Sequence, residues 1–184
     1  MFYREEEFEE ILQAVVLVPY SPGYKLEDFD CGIDDYNDFL INDARYYIEQ
    51  NISQVKLLIH KQSADIIAYM ALSADSFILD NAEKEREHLD IPINSIPALK
   101  IGKLAVNHRY DDRPYGSFML WLALGILEQM NETGVGCRFL VVDADITHNP
   151  KTPEFYEKNG FVNNEKENRR RTRAISMRYD VFQG

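Results

Sequence analysis

The chain has 184 residues, 45% of them apolar and 28% charged, with a formal net charge of −11 at pH 7. That length suits one soluble domain with a substantial core, and the acidic balance argues against nonspecific binding to nucleic acid, whose phosphates repel it. No apolar run approaches the ~20 residues of a membrane-spanning helix, and the acidic opening is neither a secretory nor a transit peptide. A cytoplasmic protein without a membrane partner is therefore expected. Cys31 and Cys137 fit neither a disulfide framework nor a metal site, so they read as two reduced, buried thiols.

In chain order, "MFYREEEFEEIL" reads as an acidic helix with Phe8, Ile11 and Leu12 on its apolar stripe. "AVVLVPY" (14–20) reads as a short buried strand. "GIDDYNDFLINDARYYIEQN" spaces Tyr36, Phe39, Leu40, Tyr47 and Ile48 as a helix does, opening at Gly32 or Asp34, with aspartates in the first turn where the dipole favours them. "QVKLLIH" (54–60) alternates at Val55, Leu57 and Ile59 and pairs with the longer apolar run 65–79 as a hairpin. "DNAEKEREHL" is charged enough to be an exposed short helix, "DIPINSIPA" a proline-broken loop, and 99–106 the next strand. The helix from Ser117 to Met130 is apolar nearly all round, so it must be buried on most faces. "RFLVVDA" (138–144) reads as a central strand, "TPEFYEKNGF" as a helix stopped by Gly160, and "RAISMRYDVF" as a half-exposed antiparallel strand. Hairpins together with strand–helix–strand crossovers imply an α/β fold with a mixed central sheet flanked by helices. Residues 1–13 form a separate acidic helical extension in this reading, and 14–184 the domain itself.

Three segments carry chemistry. "KLAVNHRYDDRPYGSFML" is a strand, a turn and a helix start, "NPKTPEFYEKNGF" opens a later helix, and "FDCGIDDYNDFL" opens an early one. Together with the element order they resemble the GNAT acetyltransferase superfamily, whose members move an acetyl group from acetyl-CoA to an amine. The second segment is similar to the family's N-x-x-A-x-x-F-Y-E-K-x-G-F at Asn149, Phe155, Tyr156, Glu157, Lys158, Gly160 and Phe161. The third is similar to the subgroup that includes acetyltransferase toxins acting on aminoacyl-tRNA.

The turn departs from the family pattern Q/R-x-x-G-x-G/A, since Asp111, Pro114 and Gly116 stand where the pattern has Q/R, the first glycine and the last. A diphosphate is held by backbone N–H groups at a helix N-terminus, with glycines allowing close approach. Pro114 removes one donor, and Asp111 and Asp112 add negative charge. Proline is nevertheless at home in a first helical turn, and Arg113, Tyr115, Gly116 and Ser117 keep their amides, with Arg109 and Arg113 as added positive charge. By itself the turn suits an ordinary helix start equally well; read with the second segment, it is expected to be a modified cradle for acetyl-CoA.

The resemblance further implies that backbone groups of Leu104, Ala105 and Val106 line the thioester and pantetheine arm, that Asn149 bonds the pantetheine amide, and that Tyr156 protonates the departing thiolate. A phenol is fully protonated at neutral pH and so is available as an acid. Asn149 reads equally well as a turn residue before Pro150, and Tyr156 could instead pack its ring on the sheet. No general base is assigned to His108, Asp143, Asp145 or His148, and "DADITHN" matches no metal spacing. The leading expectation is an N-acyltransferase moving acetyl to a primary amine on a small molecule or peptide, by direct attack in a ternary complex. The acidic balance favours a cationic acceptor. A toxin-like acetyltransferase of aminoacyl-tRNA is the alternative, for which "RRRTR" (169–173) supplies the basic patch, although a solvated hairpin tip explains that run as well. A non-catalytic module with a degraded CoA site is the third reading. Relatives commonly pair, so a homodimer is compatible with the resemblance.

Overall fold

The computed structural model describes residues 5–169 and 172–183; Met1 to Arg4, the tip of the expected N-terminal extension, and Arg170 and Arg171 of the basic run lie outside them. The elements in order are α1 (Glu5–Ala14), β1 (Val15–Pro19), α2 (Asp34–Asp38), α3 (Ala44–Glu49), β2 (Gln54–His60), β3 (Ile66–Ile78), α4 (Asn81–Arg86), β4 (Ser95–Val106), α5 (Tyr115–Glu132), β5 (Phe139–Asp145), α6 (Thr152–Lys158), β6 (Val162–Asn163), α7 (Glu165–Asn168) and β7 (Ala174–Asp180). The seven strands form a mixed sheet in the order β1-β2-β3-β4-β5-β7-β6, flanked by helices. The chain divides into two compact units, residues 5–73 with 101–122 and residues 74–100 with 123–184.

In the first unit, β2 pairs with β1 and β3 antiparallel, the latter with a register shift between Leu58 and Ile59. The period-2 pattern puts Val55 and Leu57 into a core with Phe29, Phe39, Leu40 and Tyr69. β1 is an edge strand, not a buried one, and Val16 is exposed. The helix expected over 32–51 is interrupted: α2 and α3 are joined by a π-helical turn, Phe39–Asp43. The wider turn rotates the apolar face so that Phe39, Leu40 and then Ala44 all point inward. It opens at Asp34, one of the two residues expected to start it, with Ile33 as the N-cap. Phe8 of α1 packs edge-on against Phe118 at 5.3 Å and beside Trp121 at 5.7 Å, while Leu12 is exposed. That stacking holds the acidic helix by its apolar stripe.

In the second unit, β5 pairs along its whole length with β7, and β6 adds a two-residue edge. Phe77, Leu79, Ile96, Ala98, Phe139 and Val141 form its core. Three sequence expectations change here. β4 begins at Ser95 and takes in Pro97, a residue tolerated in a strand only where its nitrogen has no ladder bond to make. β7 is buried on both faces, with Ser176, Arg178 and Asp180 at 4%, 3% and 2% exposure. The charged segment 80–87, expected to be exposed, is exposed on one face only, at Asn81, Ala82, Glu85 and Arg86. Asp80 caps α4 in a capping box with Glu83, and Glu83, Lys84 and Glu87 are buried.

Those buried charges answer one another. Arg178 donates through Nε to Glu87 Oε1 at 2.9 Å and through Nη1 to Asn164 Oδ1 and the Asn163 carbonyl, while Glu83 lies 3.6 Å from Nη1. Glu83 also accepts the Glu165 amide, and Lys84 Nζ is held by Asn94 and the Ile91 carbonyl. A charge in the interior is tolerated only when so paired. Gly160 ends α6 at φ 85°, where a Cβ would come within 3.0 Å of the Tyr179 ring, so glycine is required there.

Candidate functional site

In the first unit the turn between β4 and α5 is stitched down by Asn107, which is buried. Its amide donates to Ile67 O at 2.7 Å, its Nδ2 to Ile66 O, and its Oδ1 accepts the Arg109 amide. Tyr110 closes the turn with its amide on Asn107 O and its hydroxyl on Asp65. His108 donates its amide to Asp30 O, and its ring stands 3.4 Å from the Asp30 carboxylate. The sequence reading missed Asn107; an asparagine directly after an apolar strand is a turn signal that it left unused.

The helix then starts as the proline argument requires. Phe118 N–H donates to Pro114 O at 2.9 Å, and Tyr115 N–H to Arg113 O at 2.8 Å. Tyr115's amide is thus committed within the turn and leaves the expected set of cradle donors. Gly116 is half-buried on the first turn of an 18-residue helix, where the dipole places positive potential. Burial and then Asp112 raise the pKa of Tyr115, so the Asp112 carboxylate does stand near the helix start. Arg113 offsets it, and also reaches Glu10 of α1 at 3.4 Å in a partly exposed pair. Such a pair contributes about 0–1 kcal/mol and leaves the guanidinium able to turn to an anion. Ahead of the turn, Ala105 is buried against the first unit's core, while Leu104 and Val106 are half-buried. Lys103 stands with Nζ 4.4 Å above the Tyr36 ring and 5.2 Å from that of Phe39.

The early helix-opening motif is organised by Asp30 and Asn37. Asp30 Oδ1 accepts from Gly32 N and Asn37 Nδ2, and Asn37 Oδ1 accepts from Cys31 N. The Gly32 amide, followed by Asn37, holds the Asp30 carboxyl below its usual pKa. Cys31 is half-buried, against the expectation of full burial, and Cys137 is buried; both are free thiols.

In the second unit, the end of β5 carries two acidic side chains with different partners. Asp143 binds Lys100 at 2.8 Å, and the same ammonium reaches Asp75 at 3.2 Å. Asp145 accepts from His148 Nδ1 at 2.6 Å and from the Thr147 amide at 2.8 Å. Burial pushes Asp145 up, but hydrogen bonds from Thr147 and His148 outweigh it and bring the pKa down to about 2. An aspartate orienting a histidine through Nδ1 is the geometry that presents Nε2 for proton transfer. The D-x-x-H spacing within "DADITHN" is the signal that could have singled this pair out.

Asn149 caps the turn into α6: its Oδ1 accepts from Lys151 N, and its carbonyl from Thr152 N and Oγ1. Tyr156 is 8% exposed, its ring packed on Phe155 at 5.1 Å and Phe161 at 5.4 Å. In the basic run, Arg169 pairs with Asp80 at 3.2 Å, and Arg173 accepts the Ile146 amide on its carbonyl, directly after Asp145. No group of three or more histidine, cysteine, aspartate or glutamate residues is placed to hold a metal among the described residues. No helix among them is long and apolar enough to cross a membrane.

No protein-family model and no curated protein sequence matches the chain. Solved structures do. A structure of AtaTR bound with AcCoA superposes with a TM-score of 0.74 at 21% identity, covering 93% of this chain and 96% of that one. A tyrosine-to-phenylalanine variant of KacT gives 0.76 at 20% identity, over 93% and 97%. AtaT complexed with acetyl-methionyl-tRNAfMet gives 0.74 at 19% identity, over 92% and 96%. At these identities the likeness is one of fold, and it runs over nearly the whole of each chain.

Proposed function

We propose that the chain is a GNAT-type N-acetyltransferase that takes acetyl-CoA as acyl donor and the amino group of an aminoacyl-tRNA as acceptor. The observation that carries this reading is the near full-length fold shared with one structure holding AcCoA and another holding acetyl-methionyl-tRNAfMet. It reverses the order of the sequence expectations, in which a small or peptide amine led on the strength of the net charge. The position of Arg173 beside Ile146, at the β5 end that leads into α6, supports an RNA-facing rim on the second unit.

In this proposal the amides of Gly116 and Ser117, with Arg113, hold the diphosphate at the start of α5. The backbone of Leu104, Ala105 and Val106 lines the pantetheine arm and polarises the thioester carbonyl, a contribution of a few kcal/mol from preorganised N–H groups. Asn149 retains its turn role and offers its side chain to the pantetheine amide. The neutral amine attacks the carbonyl carbon, the C–S bond breaks, and Tyr156 supplies the proton to the departing thiolate. The proton lost by the amine passes to water or to the Asp145–His148 pair.

The test is acetyl transfer from radiolabelled acetyl-CoA by the purified chain. Label should enter aminoacyl-tRNA and not deacylated tRNA. Label in polyamines or lysine peptides alone would restore the small-amine reading. Label in none of them, with no heat on titrating acetyl-CoA, would leave a non-catalytic module.

A further inference from the structure

The second unit holds an open apolar cavity of about 760 Å³ that the proposed chemistry does not use. It is lined by Ile91, Ile93 and Ile96 from the segment that leads into β4, by Phe139 at the start of β5, and by Phe182 just beyond β7. Phe139 and the residues after Asp180 stand at the end of the β5–β7 ladder opposite Asp145 and Ala174. The cavity is therefore at the other pole of that ladder from the His148 pair.

Two observations give this groove a partner rather than a passive exposure. The first is an exposed aromatic ring at the rim. Phe182 is 77% exposed, yet its ring lies 5.2 Å from the Arg138 guanidinium carbon, which is also 5.2 Å from the Phe139 ring. Arg138 is itself fixed, donating Nε to Asp180 at 2.9 Å and Nη2 to the Glu87 carbonyl at 2.8 Å. An exposed aromatic ring stacked beside a cation is the kind of side chain that serves as an interface anchor. Ile93 and Val135 add exposed apolar surface in the same part of the unit, at 54% and 57%.

The second observation is charge. Glu128 and Glu132, from the last turns of α5, line the cavity and are exposed. Arg138, the cation at the mouth, is already neutralised by Asp180. The field there is negative and the floor is apolar. A second copy of this chain would bring a further net charge of −11 to this acidic mouth. That repulsion selects against self-association at this surface.

We infer that this groove is a docking site for a polypeptide segment with apolar anchors flanked by lysine or arginine, of the helix-in-groove kind. Apolar side chains fill the cavity against Ile91, Ile96 and Phe139, and the basic residues meet Glu128 and Glu132.

The test uses the full chain and three fluorescein-labelled peptides read by polarisation. One has leucines at i, i+3, i+4 and i+7 with lysines elsewhere, the second has glutamates for the lysines, and the third keeps the lysines with serines for the leucines. The first peptide should bind saturably, and the other two at least about tenfold more weakly. Phe182→Ser and Ile93→Ser alter exposed positions, so the fold survives, and each should weaken the first peptide about fivefold or more. Glu128→Lys with Glu132→Lys should abolish the preference for lysine over glutamate. Equal binding of the lysine–leucine and lysine–serine peptides, or indifference to Phe182→Ser, would overturn the proposal. So would sedimentation showing a dimer that Phe182→Ser dissociates, since a second copy would then own the groove.

Discussion

Two charged regions of this molecule use the same residue types to opposite ends. Around α4 and β7, Glu83, Glu87 and Arg178 are sealed from water and bound to one another. In the turn before α5, Asp111 and Asp112 are exposed, and Arg113 shares only a partly exposed contact with Glu10. The first set is committed to holding a helix on a sheet; the second stands in water. Net charge alone says nothing of this division. At this turn Arg113 and the helix N-terminus act against the nearby Asp112 carboxylate.

The sharpest way to break the comparison is Arg178→Met. It leaves Glu83 and Glu87 buried without their cation, which should cost about 3–5 kcal/mol in urea unfolding. The triple variant Arg178→Met, Glu83→Gln, Glu87→Gln should recover much of that loss, because no bare charge remains inside. Next in size is Tyr156→Phe. If the phenol acts as the acid, kcat should fall about a hundredfold or more with the melting temperature nearly unchanged. An unchanged kcat would return Tyr156 to packing alone.

Gly160→Ala tests a purely steric requirement. The left-handed backbone and the Tyr179 ring at 3.0 Å should together cost about 1–2 kcal/mol, seen in thermal unfolding without a change in KM for acetyl-CoA. The smallest effect concerns pH. The folded-state pKa of Asp145 lies below its unfolded value, so its stabilisation is present above about pH 4 and is lost as pH falls toward about 2. Asp145→Asn should therefore lower stability at pH 6 and match the unaltered chain near pH 2, in denaturation curves taken across that range. A constant difference at all pH values would mean that the His148 contact contributes through packing and not through charge.

Several elements were legible because their signals are local. The alternation in 54–60, the all-apolar stretch that became α5 and the apolar run of β5 each carry their own period or length. The interruption between α2 and α3 was not legible, since a π-helical turn costs one residue of phase without changing composition. β6 and α7 were too short to leave a pattern. For the candidate site, the Pro114 helix start was readable from proline's preference for a first turn. Asn107 and the Asp145–His148 pair were not picked out, because polar residues after strands look alike until their partners are known. Of the basic run, Arg169 pairs with Asp80 instead of lining a continuous patch, and Arg170 and Arg171 lie outside the described residues.

The amino-acid order by itself determined the strands and helices with strong periodicity, the proline-led start of α5 and the glycine stop after α6, because each depends on neighbours within a turn or two. Only the tertiary structure decided which charges are buried, that β7 is covered on both faces and that β1 is an edge. Those outcomes depend on partners such as Arg178 and Glu87, 91 residues apart, and burial is a property of the pair rather than of either residue.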